Sequence, residues 1–180
     1  MQQVDRVILL TGAASAALFG WMHFAFRRPL EALLPNADLP DLAVGDHARE
    51  SVAAFFRALE GSSQAAALFH NMLLGPELYF PLVFAAFLFL FLLRVSEGAQ
   101  MFSRPVTGPL KAIVLAQPLT YVLADYAENA AFFALLQSPE PSGWLLDLAP
   151  WLTAFKFVGV SLAAVFLLRF TLLKRLQPKA

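Results

Sequence analysis

Four long apolar stretches, at about 7–26, 76–94, 112–136 and 144–168, alternate with polar segments along the chain. Each is long enough for a helix that crosses a bilayer, which needs about 20 residues. The pattern therefore predicts an all-α, polytopic membrane protein: a single domain over 1–180, built as a four-transmembrane-helix bundle. The first stretch ends at Trp21-Met22-His23-Phe24 and Arg27-Arg28-Pro29 rather than at a small-residue cleavage site, so it is expected to be a retained helix and not a signal peptide. Its Gly12, Ala16 and Gly20 recur every four residues, which predicts a flat face for close helix packing.

The one long connection, 29–73, begins irregularly, with Pro35, Asn36, Asp38, Pro40, Asp41 and Gly45. A short amphipathic helix follows, with Asp46 as N-cap, Val52, Phe55, Phe56 and Leu59 on its apolar side, and Gly61 as its stop. It is expected to lie on the membrane surface or to cap the bundle. The second span includes Leu78 to Leu93, and begins as early as Gln64 if the helix runs through Pro76 with a kink. Pro118 is expected to bend the third, and Pro139, Pro141, Ser142 and Gly143 mark the turn into the fourth.

Composition agrees with this reading: 59% of the 180 residues are hydrophobic and only 14% charged. Soluble domains carry about 25% charged residues. Cysteine is absent, which excludes disulfides, thiolate metal sites and cysteine nucleophiles. Thirteen basic residues balance thirteen acidic ones, so no nucleic-acid partner is expected. No P-loop, H-E-x-x-H, G-x-S-x-G or dinucleotide fingerprint occurs, and neither a cofactor nor a metal is expected.

Charge matters here by position. Arg6, Arg94, Arg104, Lys111, Arg169, Lys174, Arg175 and Lys179 fall on one side of a four-span topology, against Arg27, Arg28, Arg49 and Arg57 in the long loop. The positive-inside tendency then puts both termini in the cytoplasm and the loop outside the inner membrane. Trp21, Trp144 and Trp151 suit interfacial anchors, and Phe84, Phe87, Phe89 and Phe91, among 18 Phe, are expected mainly to face lipid.

Against this background one segment is anomalous. Asp125, Glu128 and Asn129 share a face of the third stretch, extended by Tyr121 and Gln117, and the fourth stretch carries Lys156. Asp, Glu and Lys in mid-membrane cost about 2.5 to 3.5 kcal/mol each, so the three oppose insertion by about 8 to 10 kcal/mol. Counted along the helices at about 1.5 Å per residue, Glu128 lies roughly 13 Å deep, Asp125 roughly 18 Å and Lys156 roughly 15 Å. Lys156 is therefore the expected partner of Glu128 or Asp125. One cation cannot neutralise two acids, so one carboxyl is expected to keep a proton that it can give up or share.

Thr11, Ser15, Phe19 and His23 repeat along the first helix, and His70 and Glu77 are seven apart, near one face of a continuous second helix. The candidate ligand or proton site is thus Asp125, Glu128, Asn129 and Lys156, with Tyr121 on the same stripe toward the cytoplasm, joined from the outer side by Glu77, His23 and His70. Each has a plainer reading. The ion pairs can serve helix packing alone, Glu77 can reach the headgroups, and the histidines can be interfacial rather than ligands. A haem between histidines finds no support in their spacing.

Glu77-x-x-x-Pro81, Asp125-x-x-Glu128-Asn129 and Lys156 resemble marks of uncharacterised small bacterial four-helix membrane proteins with an intramembrane D-x-x-E-N motif, over about residues 46–170. Glu77 stands where that group carries Asp. The helix order, the long loop after the first helix and the acidic start of the second are also similar, more distantly, to the EXPERA domain shared by the sigma-2 receptor and the sterol isomerases. That likeness implies a cavity containing carboxylates that takes lipophilic amines or sterols, and it includes neither D-x-x-E-N nor Lys156.

Three functional readings follow. In the first, a carboxylate, amide and lysine pocket binds a small lipophilic or amphiphilic ligand, with catalysis left open. In the second, the chain is a proton- or ion-coupled transporter, working as a homo-oligomer. In the third, it is an accessory or structural subunit of a membrane complex. Membrane lipid is a partner in all three.

Overall fold

The computed structural model describes residues 3–101, 104–138 and 143–176. Within them the chain is all-α apart from a two-residue antiparallel ladder, in which Gln100 faces Pro105 and Met101 faces Arg104. Helix α1 (Gln3–Met22) passes through a π-helical turn (His23–Arg27) into α2 (Arg28–Leu33). Pro29 explains the turn: it has no N–H for the carbonyl of Ala25 four residues back, and its ring crowds that carbonyl. The chain widens by one residue, and the Arg28 N–H bonds to the His23 carbonyl instead. The first helical stretch therefore extends to Leu33, past the limit expected from the sequence.

The connection from 29 to 73 is more ordered than its composition suggests. After a 3-10 turn at Pro40–Leu42 come α3 (Ala48–Glu60) and α4 (Ser63–Leu74). The N-cap of α3 is His47 rather than Asp46, and it makes no side-chain cap bond. Val52, Phe55, Phe56 and Leu59 are buried as the amphipathic pattern requires. They close one end of the bundle: Phe55 and Phe56 meet Phe69 of α4 with ring centroids 5.0 and 6.0 Å apart, and Phe69 lies 6.2 Å from Phe132.

Gly75 ends α4, and α5 (Pro76–Ser96) begins directly after it. With φ and ψ both −108°, Gly75 breaks the helix where the sequence left a kink at Pro76 as one alternative. A Cβ there would lie 2.7 Å from the Asn71 carbonyl oxygen. Helix α6 (Gly108–Gln137) continues through Pro118, and α7 (Gly143–Leu176) returns beside it. The turn expected at Pro139–Ser142 lies outside the described residues.

Among the described residues three stretches are long and apolar enough to cross a membrane: Gln3–Leu33, Ser63–Ser96 and Gly143–Lys174. The 30-residue α6, expected as the third of four spans, is not among them. It is long enough, but Gln117, Asp125, Glu128 and Asn129 lower its hydropathy. Asp125 and Glu128 point inward, while Ile113, Leu119 and Leu123 form its exposed face.

The helices pack in the order α1, α5, α6, α7, with the closest association between α6 and α7 and a lighter contact between α5 and α7. Extended packing of α1 is confined to α5. At one end Arg94 of α5 pairs with Asp5 of α1 at 3.2 Å, and Lys174 of α7 donates to the Arg94 carbonyl. The small-residue face of α1 is divided. Gly12 sits against Phe87, whereas nothing approaches within 4 Å of a Cβ built at Gly20.

Association inside lipid depends on close packing and internal polar contacts, because apolar burial gains little against lipid tails. Gly159 of α7 supplies the tightest such approach to α6. A Cβ there would lie 3.0 Å from the Tyr121 nitrogen and 3.2 Å from the Gln117 oxygen. Gly159→Leu should accordingly destabilise the fold by about 1–3 kcal/mol, as overpacking does, and Gly20→Leu should not. Thermal unfolding in mild detergent, followed by circular dichroism, separates the two; equal midpoints would refute this account of the α6–α7 seam.

Candidate functional site

Asp125 and Glu128 of α6 meet Lys156 of α7. Glu128 is 0% exposed, and both its oxygens are engaged: the Thr153 hydroxyl donates to Oε1 and the Lys156 ammonium to Oε2. Lys156 also lies 3.5 Å from Asp125 Oδ1, so one cation serves two carboxylates. Asn129 donates its amide to Asp125 Oδ2 at 3.2 Å, as their i, i+4 spacing allows. The Thr153 hydroxyl also lies 3.1 Å from the Ala149 carbonyl, the alternative acceptor for its single proton.

Asp125 and Lys156 line a cavity of about 680 Å³, and Glu128 lies behind them. This splits the roles that the sequence left joined: Glu128 holds Lys156 from within the protein, and Asp125 faces open space. The cavity walls are aromatic and apolar, with Phe19 and Met22 from α1, Phe80, Phe84 and Phe87 from α5, and Phe157 from α7. Phe84 and Phe87, expected to face lipid, are therefore cavity residues. Its polar features are Ser15, His23, Glu77, Tyr121, Asp125 and Lys156, with Arg27, Glu31 and Asp41 at the loop end.

Glu77 occupies the first turn of α5, set there by the break at Gly75. Four residues on, Pro81 has no N–H to give the Glu77 carbonyl. The Tyr126 hydroxyl donates to the neighbouring Leu78 carbonyl at 2.6 Å and ties this turn to α6. Although only 7% exposed, the Glu77 side chain makes no hydrogen bond or ion pair with the described residues. Neither of its oxygens is sealed off, and the space beside them is the cavity.

His70 does not join this group. The break at Gly75 ends the continuous face it was expected to share with Glu77, and its ring packs 5.6 Å from that of Phe133. His23 lines the cavity from the first position of the π turn, stacked on Phe19 of α1 at 6.4 Å. The described residues contain no cluster suited to a metal ion.

The sequence reading missed Arg27 and Asp41. They form an ion pair at 2.9 Å, with side chains only 13% and 20% exposed, across the loop end of the cavity. Arg27 had been counted among the charges that set topology, and Asp41 among the residues of an irregular loop. Thr153 was missed as well; its spacing of three from Lys156 could have placed it on the same helix face.

Helices α1 and α7 are not packed along each other where they line the cavity. Phe19 and Phe157 border it and are 48% and 40% exposed. The site thus combines a buried acid-rich end, aromatic walls and a flank along which α1 and α7 are not packed together.

Removing one partner of a buried ion pair costs about 3–5 kcal/mol, whereas replacing both can be close to neutral. Lys156→Met should therefore lower the unfolding midpoint strongly, and adding Glu128→Gln should restore much of the loss. A double-mutant cycle from thermal or denaturant unfolding measures this coupling, and a purely additive cycle would show that the two are not energetic partners. Compared with known proteins, the chain matches no protein-family model, no curated protein and no solved structure.

Proposed function

We propose that this protein is a multi-pass inner-membrane bundle whose cavity binds a small lipophilic or amphiphilic molecule drawn from the bilayer. The observation that carries this reading is the cavity itself. It has aromatic walls, is lined by α1 and α7, which are not packed along each other, and ends in buried carboxylates, of which Glu77 makes no hydrogen bond or ion pair with the described residues. A volume of about 680 Å³ falls within the range of about 300–1,000 Å³ common for small-molecule sites. Glu77 and Asp125 supply anionic character at one end, Tyr121 a hydroxyl beside them, and the phenylalanines the surface for an apolar body.

In this reading α6 is the fourth span. Its polar residues face α7 and the cavity, so Ile113, Leu119 and Leu123 remain to meet lipid. The loop with α3 and α4 lies outside the cytoplasm and both termini inside, following the basic residues. The contacts among Asp5, Arg94 and Lys174 support placing those three segments on one side.

Ion-coupled transport is less well supported. A transport route needs polar access from both sides, and beyond Tyr121 the bundle is filled by Leu88, Leu92, Val114, Ala163 and Phe170. Of Gln117 and Tyr121, the two polar side chains that hint at such a path, Gln117 spends its amide on the Ile113 carbonyl.

Native mass spectrometry of gently purified protein tests the binding reading. Wild type should release a discrete small molecule on activation. Val160→Trp, which fills the cavity from α7, should lose it without a large change in unfolding midpoint. Bulk lipid alone in both proteins, together with a stoichiometric protein partner, would favour the accessory-subunit reading instead.

A further inference from the structure

Two polar side chains of the cavity wall lack a hydrogen-bond partner among the described residues. Glu77 is 7% exposed and Tyr121 3% exposed, and neither makes a hydrogen bond or ion pair with those residues. Neither has a sealed polar atom, so both open on the cavity they line. They come from different helices, α5 and α6, and Glu77 is near enough to act electrostatically on the Tyr121 hydroxyl. The Phe84 ring stands edge-on to that of Tyr121, with centroids 5.5 Å apart, and holds the tyrosine in place. The lysine and the arginine that line the same cavity are already engaged, Lys156 by Glu128 and Asp125 and Arg27 by Asp41.

The cavity is long and narrow. Its lining on α1 and the π turn runs from Gly12 to Arg27, about 22 Å at about 1.5 Å per residue. A volume of about 680 Å³ over that length leaves a mean cross-section of about 30 Å². One extended hydrocarbon chain fills such a slot at carbon contacts of about 4 Å, and two side by side do not fit. The polar groups crowd the part toward the loop. Beyond Tyr121 the walls are Gly12, Ala16, Phe84, Phe87 and Val160, and the nearby Ser15 donates its hydroxyl to the Thr11 carbonyl at 2.8 Å. Gly12 and Phe87 form the floor, since a Cβ at Gly12 would stand 3.0 Å from the Phe87 ring. Along α5 that floor lies ten residues from Glu77, about 15 Å, which is the reach of about twelve carbons.

Resting on the cavity reading above, we infer that the cavity takes a single unbranched chain with a neutral, hydroxyl-bearing head, of the monoacylglycerol type, and that Gly12 and Phe87 set the length of the chain. A hydroxyl donates and accepts at once. It donates to Glu77, which accepts through an oxygen with or without a proton, and it accepts from Tyr121. A cationic head offers the Tyr121 proton no acceptor. An anionic head offers Glu77 no donor, and it meets further carboxylates at Asp125 and Asp41. Either one leaves a buried polar group unmatched, which is the costly case. The chain lies along Phe80, Phe84 and Phe87, whose rings follow one another at 5.5 and 6.3 Å, and it ends at the floor. A rigid fused-ring body is broader than a chain and does not fit the slot.

The test incubates the full chain in mild detergent with an equimolar series from monooctanoylglycerol to monostearoylglycerol, and separately with 1-chlorododecane, dodecyltrimethylammonium and cholesterol. Probe that co-elutes with the protein on size exclusion is quantified by mass spectrometry, and the amount kept by the cavity-filled Val160→Trp is the baseline. Wild type is expected to retain monododecanoylglycerol best, and above the other three probes. Tyr121→Phe should lower its retention about five- to tenfold, as loss of one hydrogen bond does, without changing that of 1-chlorododecane. Phe87→Ala should move the optimum to a longer chain. A length profile that is flat or unmoved by Phe87→Ala, equal losses of both probes in Tyr121→Phe, or preferential retention of the ammonium or of cholesterol overturns the inference and leaves the cavity reading standing. If Val160→Trp displaces no probe, the cavity reading falls and the hydroxyl-headed chain falls with it. Should Phe87→Ala fail to fold, the wild-type length profile and the Tyr121→Phe comparison still decide.

Discussion

The buried contact of Lys156 with Glu128 and Asp125 is the constraint on which the rest of this structure depends. A lysine and two acids on largely apolar helices are costly to bury unpaired, so α6 and α7 meet along the seam that carries them. Gly159 lets the backbones come close enough for that meeting, and Thr153 satisfies the remaining oxygen of Glu128. Because Glu128 holds Lys156 from behind, Asp125 is free to form part of a cavity wall. The most expensive residues in the chain thereby serve packing and the site together.

The cavity exists because α1 is attached to the bundle on one side only. It packs along α5, with Gly12 against Phe87, and diverges from α7. The space between is closed at the loop end by Arg27 and Asp41, brought together by a π turn and a 3-10 turn. Each of these irregular turns contains or adjoins a proline, which denies the helix a backbone donor. The break at Gly75 acts similarly on α5, placing Glu77 in a first helical turn that borders the cavity. Departures from regular helix thus shape the site, and regular helix supplies its walls.

The sequence by itself determined the helical character, three apolar stretches long enough for a bilayer, the buried face of α3, and the meeting of Lys156 with Glu128 and Asp125. All rest on local rules: run length, 3.6-residue periodicity, and depth counted along neighbouring helices. It also marked α6 as anomalous, since the polar residues that make it valuable inside the bundle lower its hydropathy below that of its neighbours.

What only the tertiary structure decided is which of those residues share a space. Periodicity assigned His70 and Glu77 to one face, but a single glycine ends that face and sends His70 to Phe133. Arg27 and Asp41 are fourteen residues apart in an irregular region, where no repeat foretells a contact. The separation of Glu128 from Asp125, one sealed and one facing the cavity, depends on the position of α7 behind the first and of α1 across from the second. That Glu77 has no hydrogen bond or ion pair among the described residues is likewise a property of the assembled bundle: a sequence shows which residues carry charge, but only packing determines which of them meet.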